Sequence, residues 1–149
     1  MRAIIQRVLN SSVEIDGKIA GKSGKGMLIL LGVGKEDTVD DINKLVNKLT
    51  KLRIFDDEDG KINKSITDVN GEILIVSQFT LYWSCKKGTR PSFDNAMPPK
   101  EAEEMYEQFV TAMKETGIHC ETGEFGADMK VSLVNDGPVT VYLDTKENF

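Results

Sequence analysis

The sequence predicts a single α/β domain spanning all 149 residues. Three observations lead there. β-branched and aliphatic runs separated by turn residues occupy both ends of the chain, two stretches carry apolar residues at helical spacing, and no linker, repeat or second composition interrupts them. Hydrophobic residues make up 40% of the chain and charged residues 29%, the balance of an ordinary globular protein.

Taken in order, residues 3–9 and 12–15 read as strands, and Asp16-Gly17 is a two-residue hairpin signal because Gly accepts positive φ. Residues 18–22 are the return strand. Gly24-Lys25-Gly26 is a turn, and the continuously apolar run 27–33 after it reads as a strand buried on both faces. Thr38, with Asp41 three residues on, resembles a capping box that opens a helix. Ile42, Leu45, Val46, Leu49 and Leu52 give that helix one apolar face. Residues 56–60 are acidic but fit no EF-hand register, since its first and last ligand positions would fall on Phe55 and Ile66. Asn70-Gly71 is a further turn, and residues 72–81 read as a strand. A polar loop over 84–99 ends at Pro98-Pro99, which open a second helix. Its buried stripe is Ala102, Met105, Tyr106, Phe109, Val110 and Met113, and Gly117 ends it. Residues 118–122, 130–134 and 139–143 return to strand.

Most sites with a dedicated reactive side chain are excluded. His119 is the sole histidine and has no motif around it, so Ser-His-Asp and Cys-His arrangements lack a base. Cys85 and Cys120 are two cysteines without clustered partners; they are expected to stay reduced and to hold no metal. There is no P-loop and no dinucleotide fingerprint, so no cofactor is expected. The apolar run 27–33 is too short for a membrane span. Residues 1–8 carry no apolar signal core, so the cytoplasm is the expected compartment. The net charge of −5 argues against broad gripping of duplex nucleic acid, but leaves room for a local basic patch.

Two polar stretches interrupt apolar strands. Ser77, Gln78, Phe79 and Thr80 follow the run ILIV, where buried polar groups need partners. They mark either a strand end paired to backbone or a site. Asn135-Asp136-Gly137-Pro138-Val139-Thr140 is dense turn chemistry: a plain turn between two strands, or a rigid element that presents its backbone. Lys86, Lys87 and Arg90 form the one basic loop, either solvated or phosphate-binding.

Together these residues resemble the D-aminoacyl-tRNA deacylase family. SQFTL at 77–81 and NDGPVT at 135–140 carry the resemblance, with RPSF at 90–93 between them. QRV at 6–8, GMLILLGV at 26–33, RIF at 53–55 and ETGEFGADM at 121–129 follow in the same order, so it covers nearly the whole chain. It implies a three-layer α/β fold of mixed β-sheet with two main helices, and a two-fold homodimer. It implies hydrolysis of D-aminoacyl-tRNA at its acceptor end, with glycyl-tRNA also accepted. Ser77, Gln78, Phe79 and Thr80 would form the reaction pocket. Gly137-Pro138 would be a Gly-cisPro element that enters the partner subunit and rejects L-amino acids, held by Arg7. Phe125, Met129, Lys86, Lys87 and Arg90 would meet substrate or RNA. An aminoacyl ester is already activated, so oxyanion donors near Phe79 and Thr80 and a positioned water would suffice, with the 2′-hydroxyl of the terminal adenosine assisting. Thr80 as nucleophile is the alternative. Trp83-Ser84 depart from the family, which often has small or acidic residues there. The rival readings are a hydrolase of another activated ester and a non-catalytic nucleic-acid-binding dimer.

Overall fold

The structure is a computed structural model describing residues 1–149. Its frame is one long strand, β1 (Arg2–Ile15). The hairpin signal holds: Asp16 and Gly17 both take positive φ, 50° and 77°, and return the chain as β2 (Lys18–Ser23). The next strand, β3 (Gly26–Gly32), pairs antiparallel with the first half of β1, while β2 pairs with the second half.

The first helix, α1 (Val39–Lys51), starts where the capping signal placed it; the Asp41 carboxylate accepts the Thr38 N–H at 2.9 Å. The acidic segment forms the tip of a small hairpin of β4 (Phe55–Asp56) and β5 (Ile62–Lys64). Asn70-Gly71 is a turn but not a hairpin, because the strand it feeds, β6 (Glu72–Ser77), runs parallel to β3. The second helix, α2 (Pro99–Glu115), leads to β7 (Cys120–Thr122), parallel to β6, and then to β8 (Lys130–Asp144) along the free edge of β1.

The mixed sheet therefore runs β2-β1-β3-β6-β7, with β8 on β1. It curls until β7 approaches β2, where the Lys22 N–H reaches the Glu121 carboxylate at 3.1 Å. Side-chain alternation divides the apolar residues into two clusters. Met27, Ile29, Leu31, Ile73 and Ile75 face the stripes of α1 and α2. Leu28, Leu74 and Val76 face inward with Val8 and Val13. This explains runs buried on both faces: helices, sheet and the curled-over wall form successive layers of one domain. No helix is long and apolar enough to cross a membrane.

Two sequence expectations change. Residues 72–81 are not one strand, because β6 stops at Ser77 and Phe79–Tyr82 form a 3-10 turn. Residues 135–140 do not join two strands, because both flanks pair with β1 and the turn residues bulge out of a continuous β8.

The chain ends meet in a buried polar cluster. Asp37 receives the Gly34 N–H at 2.6 Å and the Met1 ammonium at 2.5 Å. The Asp41 carboxylate receives the Thr145 hydroxyl, the Thr38 N–H and the Lys146 ammonium. Burial opposes ionisation of Asp41, but those three donors outweigh it and hold the carboxyl well below the usual range. The ionised form therefore stabilises the fold above the unfolded-state value, and that stability is lost as pH falls below about 4. Denaturant unfolding of Asp41→Asn from pH 3 to 7 should show a loss of roughly 1–3 kcal/mol at neutral pH and a flatter acid limb than the unsubstituted protein. Superimposable acid limbs would remove Asp41 as the group responsible.

Candidate active site

The carboxyl end of β6 is where the fold gathers polar groups, as expected at the end of a strand with parallel neighbours on both sides. The last rung there is the Gln78 N–H donating to the Leu31 carbonyl at 2.7 Å. The chain then tightens into the Phe79–Tyr82 turn. As the first donors of a 3-10 turn, the Phe79 and Thr80 N–H groups find no acceptor within it.

Beside this turn lies a pocket of about 620 Å³. Val76, Ser77, Gln78 and Phe79 line one side, Phe93, Met97 and Pro98 a second, and Phe125, Asp128 and Met129 a third. The fold thus brings together Ser77, Gln78, Phe79, Phe125 and Met129, five residues singled out from the sequence. Thr80 stands just outside the lining, half-buried, and its hydroxyl accepts a hydrogen bond from the Gln78 side-chain amide. Phe79 is 57% exposed and meets Phe93 edge-on, with ring centroids 5.0 Å apart. Phe125 packs on Tyr106 of α2, whose hydroxyl donates to the Ile75 carbonyl at 3.1 Å. Burial pushes the Tyr106 phenol up to about 12, so it stays protonated.

Phe93 and Met97 were not foreseen as walls. Met97 donates its N–H to the Val33 carbonyl at 3.0 Å, which folds the loop back over the end of β3. The motif RPSF was a signal for Phe93, but nothing in it says which element the ring meets.

The only ionisable group in the lining is Asp128, exposed and paired with Lys130 at 3.0 Å. His119 lies elsewhere, bonded to Glu121 at 2.8 Å. No group of three or more His, Cys, Asp or Glu side chains is placed to hold a metal ion. The chemistry available is backbone donation, a hydroxyl and an amide. A second hollow of about 610 Å³ between α1 and α2 is open and edged by Glu104, Glu107 and Glu115, and none of the singled-out residues line it.

Arg7, Gly137 and Pro138 form a separate group. Arg7 is 6% exposed. Its guanidinium donates to the Asp136 carbonyl at 3.0 Å, the Ile54 carbonyl at 2.9 Å and the Asp56 carboxylate at 3.1 Å. The Asn135 side chain closes the bulge from its other side, accepting the Val139 N–H at 3.2 Å and donating to Gln6 at 2.8 Å. The Gly137–Pro138 peptide is cis, and both residues are exposed. Neither lines the pocket of its own chain. Lys86, Lys87 and Arg90 lie exposed on a hairpin closed by two Ser84–Ser92 backbone bonds of 2.8 Å.

Comparison with known proteins agrees with this fold. The profile of a family described as D-Tyr-tRNA(Tyr) deacylase matches residues 4–144. The D-aminoacyl-tRNA deacylase of Thermosipho africanus is 59% identical over the full length of both chains. Those of Clostridium botulinum (strain Langeland) and Desulfitobacterium hafniense (strain DCB-2) are 55% and 52% identical, also over full length. Among solved structures, the c-Myc DNA unwinding element binding protein superimposes with a TM-score of 0.91 at 42% identity, covering 97% of this chain and 98% of its own. A probable eukaryotic D-amino acid tRNA deacylase shares the fold, with a TM-score of 0.78 at 18% identity, covering 95% of this chain and 97% of its own.

Because Arg7 serves three acceptors with one planar fork, a lysine cannot replace it. Arg7→Lys should lower stability by roughly 1.5–3 kcal/mol, the range for charged hydrogen bonds. Exchange of the Val139 amide should accelerate more than that of Ile29 in the sheet. Equal acceleration at both would mean that Arg7 supports the fold at large rather than the bulge.

Proposed function

The chain belongs to the D-Tyr-tRNA(Tyr) deacylase family, and from that premise we propose how its pocket hydrolyses the ester of D-aminoacyl-tRNA and spares the L-form. The observation that carries the reading is a largely apolar pocket whose rim offers N–H donors and no activated nucleophile, its one carboxylate, Asp128, being exposed and paired with Lys130. The aminoacyl ester needs little more. The Phe79 and Thr80 amides stabilise the oxyanion, and the 2′-hydroxyl of the terminal adenosine positions the attacking water. Water adds to the ester carbon, the tetrahedral intermediate collapses, and the 3′-oxygen of the tRNA leaves with a proton. The products are free D-amino acid and tRNA.

Thr80 supports the turn in this scheme. Its hydroxyl is bonded to Gln78 and has no His, Lys or carboxylate partner to activate it as a nucleophile. Phe125 and Met129 hold the substrate from the far wall. Lys86, Lys87 and Arg90 lie on the hairpin that follows the turn, where RNA phosphates would pass.

Selection against L-amino acids falls to the Gly137-Pro138 bulge of a second subunit. Three features favour this. The bulge is exposed, Arg7 and Asn135 brace it, and it lies on the edge strand β8, which also exposes Leu133, Val134 and Tyr142. A two-fold dimer through β8 would give two identical sites, each entered by the partner's bulge. Backbone carbonyls there would clash with an L side chain and admit a D one, whatever its chemistry. Glycine has no side chain to reject, so glycyl-tRNA is cleaved too. The decisive assay is hydrolysis of matched D-, L- and glycyl-tRNA by purified protein, with sedimentation at the assay concentration. A fully active monomer would refute the cross-subunit part.

Two substitutions separate the roles. Thr80→Ser should keep most activity, and Thr80→Ala should lose roughly 1–3 kcal/mol of transition-state stabilisation. An aminoacyl-Thr80 adduct trapped by mass spectrometry would instead make Thr80 the nucleophile. Gly137 has φ of +120°, and a Cβ there would lie 2.8 Å from Arg7 Nη2. Gly137→Ala should therefore displace the bulge and lower the ratio of D- to L-aminoacyl-tRNA hydrolysis by at least about tenfold, since 1.4 kcal/mol of lost discrimination suffices. An unchanged ratio would move chiral selection elsewhere.

A further inference from the structure

We propose that Trp83 is a stacking platform for a base in the single-stranded acceptor end, with Lys86, Lys87 and Arg90 holding the adjacent phosphates. This rests on the reading that the pocket receives the 3′-terminal aminoacyl-adenosine. Trp83 is the sole tryptophan of the chain and is 59% exposed. The ring pairs of the fold are Phe79–Phe93 and Tyr106–Phe125, and the cations that lie over rings are Arg2, Lys44 and Lys48, so the indole stacks on nothing within its own chain.

Its backbone is nonetheless fixed on both sides. The Trp83 N–H donates to the Thr80 carbonyl at 3.2 Å, and Ser84 exchanges two hydrogen bonds of 2.8 Å with Ser92. A bare aromatic face on a pinned backbone binds a flat ligand with little ordering cost. Immediately after it comes the hairpin of residues 84–92, with three cations and no acidic residue. None of Lys86, Lys87 or Arg90 takes part in any of the ion pairs of the fold.

An aromatic face beside unpaired cations is the chemistry of single-stranded nucleic-acid binding. Paired strands would hide their base faces. The register also fits. Trp83 lies four residues beyond Phe79, directly after the 3-10 segment, about 8 Å at roughly 2 Å per residue, the span of two to three stacked nucleotides at about 3.4 Å each. The base on Trp83 would therefore belong to the nucleotides just before the terminal adenosine. Stacking tolerates any base, so the platform would serve every tRNA alike.

The lone tryptophan makes the test direct. Titrating the full-length protein with the unacylated RNA tetranucleotide ACCA should quench its fluorescence saturably, and added salt should weaken the binding. Trp83→Ala should raise KM for D-tyrosyl-tRNA about tenfold, with most of the effect in KM rather than kcat, and Trp83→Phe should recover most of the loss; stacking on one base sets this scale. The loss should be several-fold larger for the tRNA than for D-tyrosyl-adenosine, which lacks the upstream nucleotides. Absence of quenching together with an unchanged KM, in a protein that does hydrolyse D-tyrosyl-tRNA, would overturn the platform. A shift of Trp83→Ala to a smaller oligomer would overturn it too, by making the indole a subunit contact. A wild-type protein inactive on D-tyrosyl-tRNA would instead overturn the reading on which the platform rests.

Discussion

Arg7 is the point at which β1 and β8 fall out of step, and the rest of the structure is arranged around that mismatch. Gln6 pairs with Thr140 and Val8 with Asn135, so Arg7 alone faces the residues between Asn135 and Thr140. A second shift follows at Leu9, which has no partner between the pairs Val8–Asn135 and Asn10–Val134. The extra residue reverses the alternation of β1. Ala3 and Ile5 point to the helices, whereas Val8 and Val13, five positions apart, both point into the curled sheet. One strand thereby serves two apolar clusters, and the bulge opposite Arg7 is a separate shift just before the one at Leu9. A buried guanidinium suits that position because it satisfies the Asp136 carbonyl that the mismatch leaves over, and the neighbouring Ile54 carbonyl, without water.

Strongly shifted ionisation usually marks catalytic ground. Here its strongest instances mark the junction of the chain ends. Burial and the Asp37 carboxylate push the Tyr82 phenol well above its ordinary range. Asp41 and Asp144 are held low by hydrogen bonds that outweigh their burial. The junction still bears on the site, because Tyr82 closes the turn that carries Phe79 and Thr80, and Arg2 joins the Leu81 carbonyl to Asp144. The pocket itself has little that titrates, which suits a reaction whose substrate is activated before it arrives.

Legibility in the sequence followed the range of the interactions. The Asp16-Gly17 turn, the Asp41 cap and both helical stripes are set by residues within a few positions of one another, and the fold has them where they were expected. Two misreadings have non-local causes. The strand expected to reach residue 81 ends at Ser77 because β3, its partner, ends at Gly32. The turn expected between two strands is a bulge, and only the unbroken run of β1 distinguishes the two. The pocket was half visible: Ser77, Gln78, Phe79, Phe125 and Met129 were named, but Phe93 and Met97 reach it through a loop held by single long-range bonds.

That loop has a consequence for how the molecule would wear out. The sheet is held by continuous ladders, but the segment carrying Phe93 and Met97 is fastened by two isolated bridges, Ser84–Ser92 and Gly34–Ala96, and a few flanking bonds. Regions so lightly attached open at a fraction of the global free energy. On gentle warming the outer wall would swing away while the sheet and helices stay intact. The heat limit of this protein as a working machine would then lie below its melting point, decided by a handful of hydrogen bonds rather than by the core.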